Sequence, residues 1–383
     1  MRYQTPKRRQ ERPIDACLLH PLLPIVEAPI HEVTDVNTID FRSDTVTLPT
    51  PTMRDAIFRA ELGDDVYHED PTANRLQRMA AEMLGKEDAL FVASGTMANL
   101  VAVLTHCESD ERILLGSEAH MHYYESEGII RLVGVEVRTL PNDAQGRIDP
   151  AALEETLWQS DGPPINLVCL ENTHMRCGGV PLSAAYTAKV ASVAHGRGVP
   201  LHLDGARIFN AAVALGVPAA SLVEDVDSVM FCLSKGLCCP VGSLLCGSGE
   251  FIALARQSRK LVGGGMRQVG VLAAAGIVAL ESRIDRLADD HANARLLAEG
   301  LAEMPGVTIN PMAVQTNIVI FEVQGGAPAF LAAIAEQGIL ALPVGPDRVR
   351  MITHNDVGRG DVERALELIR GVLQRGNGEQ AAT

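Results

Sequence analysis

From about residue 89 onward, short apolar runs alternate with longer segments in which apolar residues recur every three or four positions. The runs cover residues 89–93, 112–115, 133–137, 166–170, 200–203, 228–233 and 243–246. Runs that are apolar throughout read as strands buried on both faces, and strands alternating with helices read as βαβ units. The pattern therefore predicts an α/β fold with a mainly parallel sheet of about seven strands. From residue 269 to about 303, Val271, Ala275, Ile277, Leu280, Ile284, Leu287 and Leu296 keep helical spacing with few breakers, which predicts one long helix or two. Beyond it, residues 317–322, 329–337, 348–352 and 361–373 read as strand, helix, strand, helix, enough for a small α+β domain.

Residues 1–38 mix Arg, Lys, Pro and isolated apolar residues without a period and read as a flexible extension. The resulting division is an extension over 1–38, a large α/β domain over 39–285, a small α+β domain over 286–376 and a flexible tail over 377–383. There is no internal repeat, and Gly263-Gly264-Gly265 marks a flexible turn.

Composition narrows the partners. At 383 residues the chain exceeds what one core usually supports, and two domains make a cleft. Lys and Arg number 33 against 48 Asp and Glu, so the formal charge is −15 and the field repels nucleic acid and anionic lipid. A small molecule is the expected partner. The eight cysteines form no CxxC pair and no Cys/His ligand spacing, which predicts reduced thiols in the cytoplasm and no metal site. Residues 17–26 follow a basic segment, but His20, Pro21 and Pro24 interrupt them and Glu27 comes at once, which argues against an export signal. No run approaches the ~18 apolar residues that a membrane helix needs.

Three motifs carry chemistry. Ser94-Gly-Thr-Met-Ala-Asn99 joins a strand to a helix, and the free N–H groups of a helix start can bind phosphate; a plain N-cap is the competing reading. Leu201-His-Leu-Asp-Gly-Ala-Arg207 ends an apolar strand in a carboxylate, where ligand crevices of α/β sheets form. Asp204 there can keep a pyridine nitrogen protonated, and an Asp204–Arg207 pair or an Asx turn is the alternative. Met230-Phe-Cys-Leu-Ser-Lys-Gly236 brings a single lysine to the end of another strand, where desolvation can make its amine nucleophilic; alone, Lys235 would more often be a solvated charge. A phosphate cradle, a carboxylate and a lysine in this order are the parts of a pyridoxal-phosphate site.

Longer strings carry a family resemblance. Asp40-Phe-Arg-Ser-Asp-Thr-Val-Thr47, Gly63-Asp-Asp-Val-Tyr67, Glu69-Asp-Pro-Thr72, Ser94-Gly-Thr-Met-Ala-Asn-Leu100, Glu171-Asn-Thr-His174, Asp204-Gly-Ala-Arg-Ile-Phe-Asn210, Leu233-Ser-Lys-Gly236, Pro240-Val-Gly-Ser243 and Gly263-Gly-Gly-Met-Arg-Gln268 resemble the low-specificity L-threonine aldolases. These belong to the aspartate-aminotransferase-like, fold type I pyridoxal-phosphate enzymes, and the resemblance spans about residues 39–373. It implies that Lys235 holds pyridoxal 5'-phosphate as a Schiff base, that Asp204 partners the ring nitrogen and that His120 stacks on the ring. Gly95 and Thr96 match the phosphate turn. Arg207 and Arg350, with Ser43 beside them, match the residues that hold the substrate carboxylate, which suits the arginine fork. Arg267 matches an arginine that reaches the cofactor phosphate of a neighbouring subunit, in a homotetramer built from dimers with shared active sites.

Taken alone, His120 reads as an ordinary core or surface histidine and Arg350 as a solvent-facing strand residue. His174 ends a buried strand, and a neutral imidazole there, or a water, would take the proton from a β-hydroxyl. Met175 stands in Met175-Arg-Cys-Gly-Gly179, where the family pattern has Asn before the glycine pair, and His122 is a second histidine near His120; both bear on the preferred aldehyde. Cys238 and Cys239 read as buried and inert. The expected reaction is retro-aldol cleavage of L-threonine or L-allo-threonine to glycine and acetaldehyde. The rivals are β-elimination or transamination on the same fold, and a catalytically silent binding protein.

Overall fold

Six of the seven apolar runs become strands of one seven-stranded sheet. The computed structural model of the chain describes residues 38–159 and 162–380, so the expected extension lies outside the described residues but for Thr38, as do the last three residues of the tail. From edge to edge the strand order is Asp88–Val92, Ser243–Gly247, Ser228–Cys232, Leu201–Asp204, Ile165–Glu171, Arg112–Gly116 and Glu136–Leu140. All neighbours pair in parallel except Ser243–Gly247, which is antiparallel to both of its neighbours. Four strands, Arg112–Gly116, Leu201–Asp204, Ser228–Cys232 and Ser243–Gly247, are buried at every position, as a sheet covered on both faces requires.

One strand is displaced from its expected place. The run at 133–137 does not form a strand; Glu136–Leu140 does. Val133 is the last residue of the helix Ser126–Val133, and Gly134 caps it in the left-handed region at φ 85°, so the apolar run straddles a helix end and a strand start.

The long periodic segment forms two helices, Gly270–Ser282 and Leu287–Ala302. The C-terminal part follows the expected alternation: strand Ile318–Val323, helix Ala327–Ala335, strand Arg348–Ile352 and helix Arg359–Gln380, the last running into the stretch read as a tail. The two longer strands pair antiparallel, and the two-residue strands Val307–Thr308 and Leu342–Pro343 widen them to a four-stranded sheet. Ile39–Asp40 pairs in parallel with Ile339–Leu340. Ile39 and Phe41 consequently sit in the hydrophobic cluster of Leu297, Phe321, Val349 and Ile369, not in the cluster under the seven-stranded sheet. The Gly263–Gly265 run forms a turn directly after the helix Gly249–Leu261, with Gly264 N–H donating to the Arg259 carbonyl.

Candidate active site

Of the expected site residues, Asp204 ends the strand Leu201–Asp204, His174 follows Ile165–Glu171 and Lys235 follows Ser228–Cys232, all at the carboxyl ends of parallel strands. Ser94 caps that helix, its Oγ accepting from Met97 N–H at 3.1 Å. The Gly95 and Thr96 amides of the first turn have no hydrogen-bond partner among the described residues. The cap and the anion site are thus compatible: Ser94 serves one amide and leaves two for a ligand. A Cβ at Gly95 would lie 2.8 Å from Cys232 Sγ and 3.1 Å from Met230 Cε, so glycine alone lets the helix start this close to the Ser228–Cys232 strand.

Asp204 is buried at its strand end, with Oδ1 accepting from Ala206 N–H at 3.1 Å and Oδ2 from Asn99 Nδ2 at 2.9 Å. The first of these is an Asx-type contact, so the local turn forms and still leaves the carboxylate at the cleft. Asn99 also donates to Glu125 Oε2 at 3.0 Å. Glu125 Oε1 accepts from Thr96 Oγ1 at 3.0 Å and meets His120 Nδ1 at 3.1 Å. One buried carboxylate therefore ties together the start of the helix Gly95–His106, Asn99 and the His120 ring. Burial disfavours a charged His120, but the bond to Glu125 and the charges of Asp204, Glu125 and Glu171 outweigh it and raise its pKa.

Glu171 holds the other side of the cleft, accepting from His120 N–H at 2.7 Å and Met175 N–H at 2.9 Å. His174 is 1% exposed, and neither ring nitrogen has a hydrogen-bond partner among the described residues; its Nε2 stands 3.9 Å from Glu171 Oε2, beyond hydrogen-bond range. A buried imidazole with both nitrogens unpartnered is costly unless a ligand supplies a partner. Met175, at the departure from the family pattern, puts its sulfur 3.0 Å from Arg350 Nη1. Arg350 Nη2 donates to the Arg42 carbonyl at 3.3 Å, its Nε is buried without a partner, and no carboxylate pairs with it among the described residues. Burial and the neighbouring Arg207 charge push its pKa down.

Arg207 is engaged differently from the expectation. Its Nε and Nη2 donate to the Asp44 carboxylate at 2.7 and 2.5 Å, so the Asp204–Arg207 pair left open by the sequence does not form, and two of its three nitrogens are held inside the protein. Burial works to raise the Asp44 pKa, yet the Arg207 charge and bonds, then the charges of Lys235 and His354, hold it well below the usual carboxylate range. Ser43, next in sequence, accepts from Thr45 N–H at 3.2 Å and from Thr45 Oγ1 at 2.9 Å. The Lys235 amine has no hydrogen-bond partner among the described residues; its backbone carbonyl accepts from Thr47 Oγ1 at 3.0 Å. Arg267 stands apart from these contacts. Its guanidinium is 61% exposed and pairs with Asp64 at 3.1 Å.

Sequence reasoning gave no role to Asp44, Asn99, Glu125 or Glu171. Asp44, Asn99 and Glu171 lie inside the quoted motifs, but only the fold shows what they hold. Glu125 ends the π-helical turn Met121–Glu125 and nothing in the sequence marked it; the fold brings it to Thr96 and Asn99, which lie i, i+3 on one helix face.

The donor set fits pyridoxal phosphate: two free amides at a helix start beside a glycine that cannot carry a Cβ, a buried carboxylate held by an amide on each oxygen, and an unpartnered lysine. Comparison with known proteins agrees. A family model described as beta-eliminating lyase matches residues 40–324. The chain is 46% identical over 347 residues to low-specificity L-threonine aldolase 1 of Arabidopsis thaliana, covering 88% of this chain and 97% of that protein. It is 41% identical over 339 residues to the low specificity L-threonine aldolase of Escherichia coli K12, covering 88% of this chain and 100% of the other. The solved threonine aldolase of Leishmania major superposes with a TM-score of 0.74 at 20% identity, over 87% of this chain and 99% of that one, which shows the shared fold.

Proposed function

Because the chain belongs to the beta-eliminating lyase family, we infer that it is a pyridoxal-phosphate-dependent aldolase that cleaves L-threonine, L-allo-threonine or a related β-hydroxy-α-amino acid to glycine and an aldehyde. The observations that carry this reading are the buried imidazole of His174, with no hydrogen-bond partner on either nitrogen among the described residues, and the buried guanidinium of Arg350, which pairs with no described carboxylate.

Lys235 would bind the cofactor aldehyde, Asp204 the ring nitrogen, the Gly95 and Thr96 amides the phosphate, and His120 one ring face. Bound there, pyridoxal phosphate supplies an electron sink for the bond that breaks at Cα. The other tasks fall to the protein. Arg350, Ser43 and the remaining Nη1 of Arg207 hold the substrate carboxylate, which fixes the rotation about Cα and selects the Cα–Cβ bond. His174 takes the β-hydroxyl proton on a ring nitrogen that has no competing partner; loss of that proton lets the Cβ oxygen become the aldehyde carbonyl, and Cα, keeping the electrons of the broken bond, takes up one proton to give glycine. Asp44 keeps Arg207 in place without taking the nitrogen the substrate needs.

The finer reading is a homotetramer of dimers, with Arg267 reaching a neighbour's cofactor phosphate. It is supported by the exposure of Arg267, whose Nη1 meets Asp64 and whose other nitrogens have no hydrogen-bond partner among the described residues. Residence in the cytoplasm is supported by the described cysteines, which are all free, and glycine formation from threonine is the metabolic role. The two cores support a large domain over 39–285 and a small one over 286–376, with the Ile39–Phe41 segment joined to the latter.

Purified protein is expected to show the visible absorption of lysine-bound cofactor and to consume L-threonine, and Lys235→Ala is expected to lose both. A Lys235→Ala protein with the wild-type band and turnover would remove the lysine from the reading.

A further inference from the structure

A line of buried polar side chains leads away from Asp204 between the sheet and the helix Gly95–His106. Asn99 Nδ2 donates to Asp204 Oδ2 and to Glu125 Oε2, and Asn99 Oδ1 faces His202 Nε2 at 3.2 Å. His202 Nδ1 is 2.8 Å from Ser228 Oγ, which is 2.8 Å from His106 Nε2. His202 and Ser228 are fully buried and Asn99 is nearly so. Two periodicities build the line. His202 and Asp204, two apart on one strand, share a sheet face, and His202 lies opposite Ser228 in the parallel register. Asn99 and His106 lie two turns apart on one helix and so share a side.

The chemistry fixes where each hydrogen points. Carboxylates accept only, so Asn99 turns its amino group to Asp204 and Glu125 and its carbonyl to His202. His202 must then carry its hydrogen on Nε2 and accept on Nδ1. Ser228 donates its one hydrogen to that nitrogen and accepts from His106 Nε2–H. Burial, then the charge of His106, pushes the His202 pKa down to about 3, and burial pushes that of His106 down to about 4, so both rings are neutral near pH 7. The His106 ring stacks on Phe251 at 4.6 Å and borders a surface cleft shared with Lys86, Asp227 and Glu250. The mechanism described above uses none of His202, Ser228 and His106.

We propose that His202 is a positioning residue for Asp204: through Asn99, a one-way chain of neutral donors running from His106 and Ser228 locks the amide that orients the Asp204 carboxylate for the cofactor ring. The role rests on pyridoxal phosphate being the ligand of this site; the direction of the hydrogen bonds does not. Nitrogen NMR of the full chain labelled in its histidines, with and without cofactor at pH 7, is expected to show His202 and His106 as neutral Nε2–H rings. A charged ring, or His202 protonated on Nδ1, overturns the chain. His202→Leu is expected to weaken pyridoxal phosphate binding on the order of 10-fold and to shift the pH at which the visible band changes, as loss of a buried hydrogen-bond partner implies. His202→Gln, which keeps a donor within reach of Asn99, is expected to restore most of both. A folded His202→Leu protein with wild-type affinity and band overturns the role. Should that variant not fold, Ser228→Ala, which frees His202 Nδ1, is expected to give mixed His202 tautomers and a loss of affinity of roughly threefold; unchanged tautomers and affinity overturn it equally. A wild-type chain with the expected tautomers that binds no pyridoxal phosphate overturns the functional reading, and the positioning role with it.

Discussion

His120 is where burial and charge pull hardest against each other. Its pKa is raised because the Glu125 bond and three carboxylates outweigh desolvation, so the charged ring favours the folded state. The stability this contributes is fully present below the ordinary histidine value of 6.5 and is lost as pH rises through the higher folded value. Proton NMR of the cofactor-free chain is expected to place the His120 midpoint above 6.5 in wild type and lower in Glu125→Gln; equal midpoints would separate the two residues. Asp44→Asn leaves the Arg207 guanidinium buried without its carboxylate, and urea unfolding is expected to show a loss of about 3–5 kcal/mol. His174→Phe is expected to lower kcat by about 10²–10⁴-fold with little change in KM, the range for a lost general base. A rate within about tenfold of wild type would make a water the base. The strand-end places of Lys235, Asp204 and His174 were legible in the sequence because each ends or follows an apolar run. The Asp44–Arg207 fork was not, because its partners lie 163 residues apart and nothing local joins them.

Among the elements, the start of the helix Gly95–His106 is where close packing and the proposed phosphate site coincide. A methyl at Gly95 would press on Cys232 Sγ and Met230 Cε, and overpacking of this kind costs about 1–3 kcal/mol. Gly95→Ala is therefore expected to weaken pyridoxal phosphate binding on the order of 10-fold in a fluorescence titration, and Cys232→Ala added to it is expected to regain part of the loss. Wild-type affinity in Gly95→Ala would mean that the phosphate does not use this turn. The strands of the large sheet were legible because burial on both faces makes them continuous apolar runs. Glu136–Leu140 is the exception that explains the rule: it lies at the sheet edge and is only partly buried, so the stronger apolar signal before it came from the end of a helix. Two-residue strands such as Ile39–Asp40 are too short to show any period, and only their pairing reveals them.

For the whole molecule, the charge balance, the α/β order and the cleft pointed to a small-molecule enzyme, and the family strings fixed which one. Assembly is written less plainly in a single chain, because a shared site looks incomplete from one side. Arg267 is the residue to ask. If it serves a neighbour's phosphate, Arg267→Ala is expected to keep its assembly in sedimentation and to lose cofactor affinity severalfold; an exposed pair with Asp64 alone would be worth only about 0–1 kcal/mol and leave the affinity unchanged. The central claim is the choice of bond, and a product balance tests it most directly. With L-threonine or L-allo-threonine as substrate, the account predicts glycine and acetaldehyde in equal amounts, with neither ammonia nor a keto acid. Ammonia with a keto acid, or a keto acid without ammonia, from protein that holds its cofactor would contradict it.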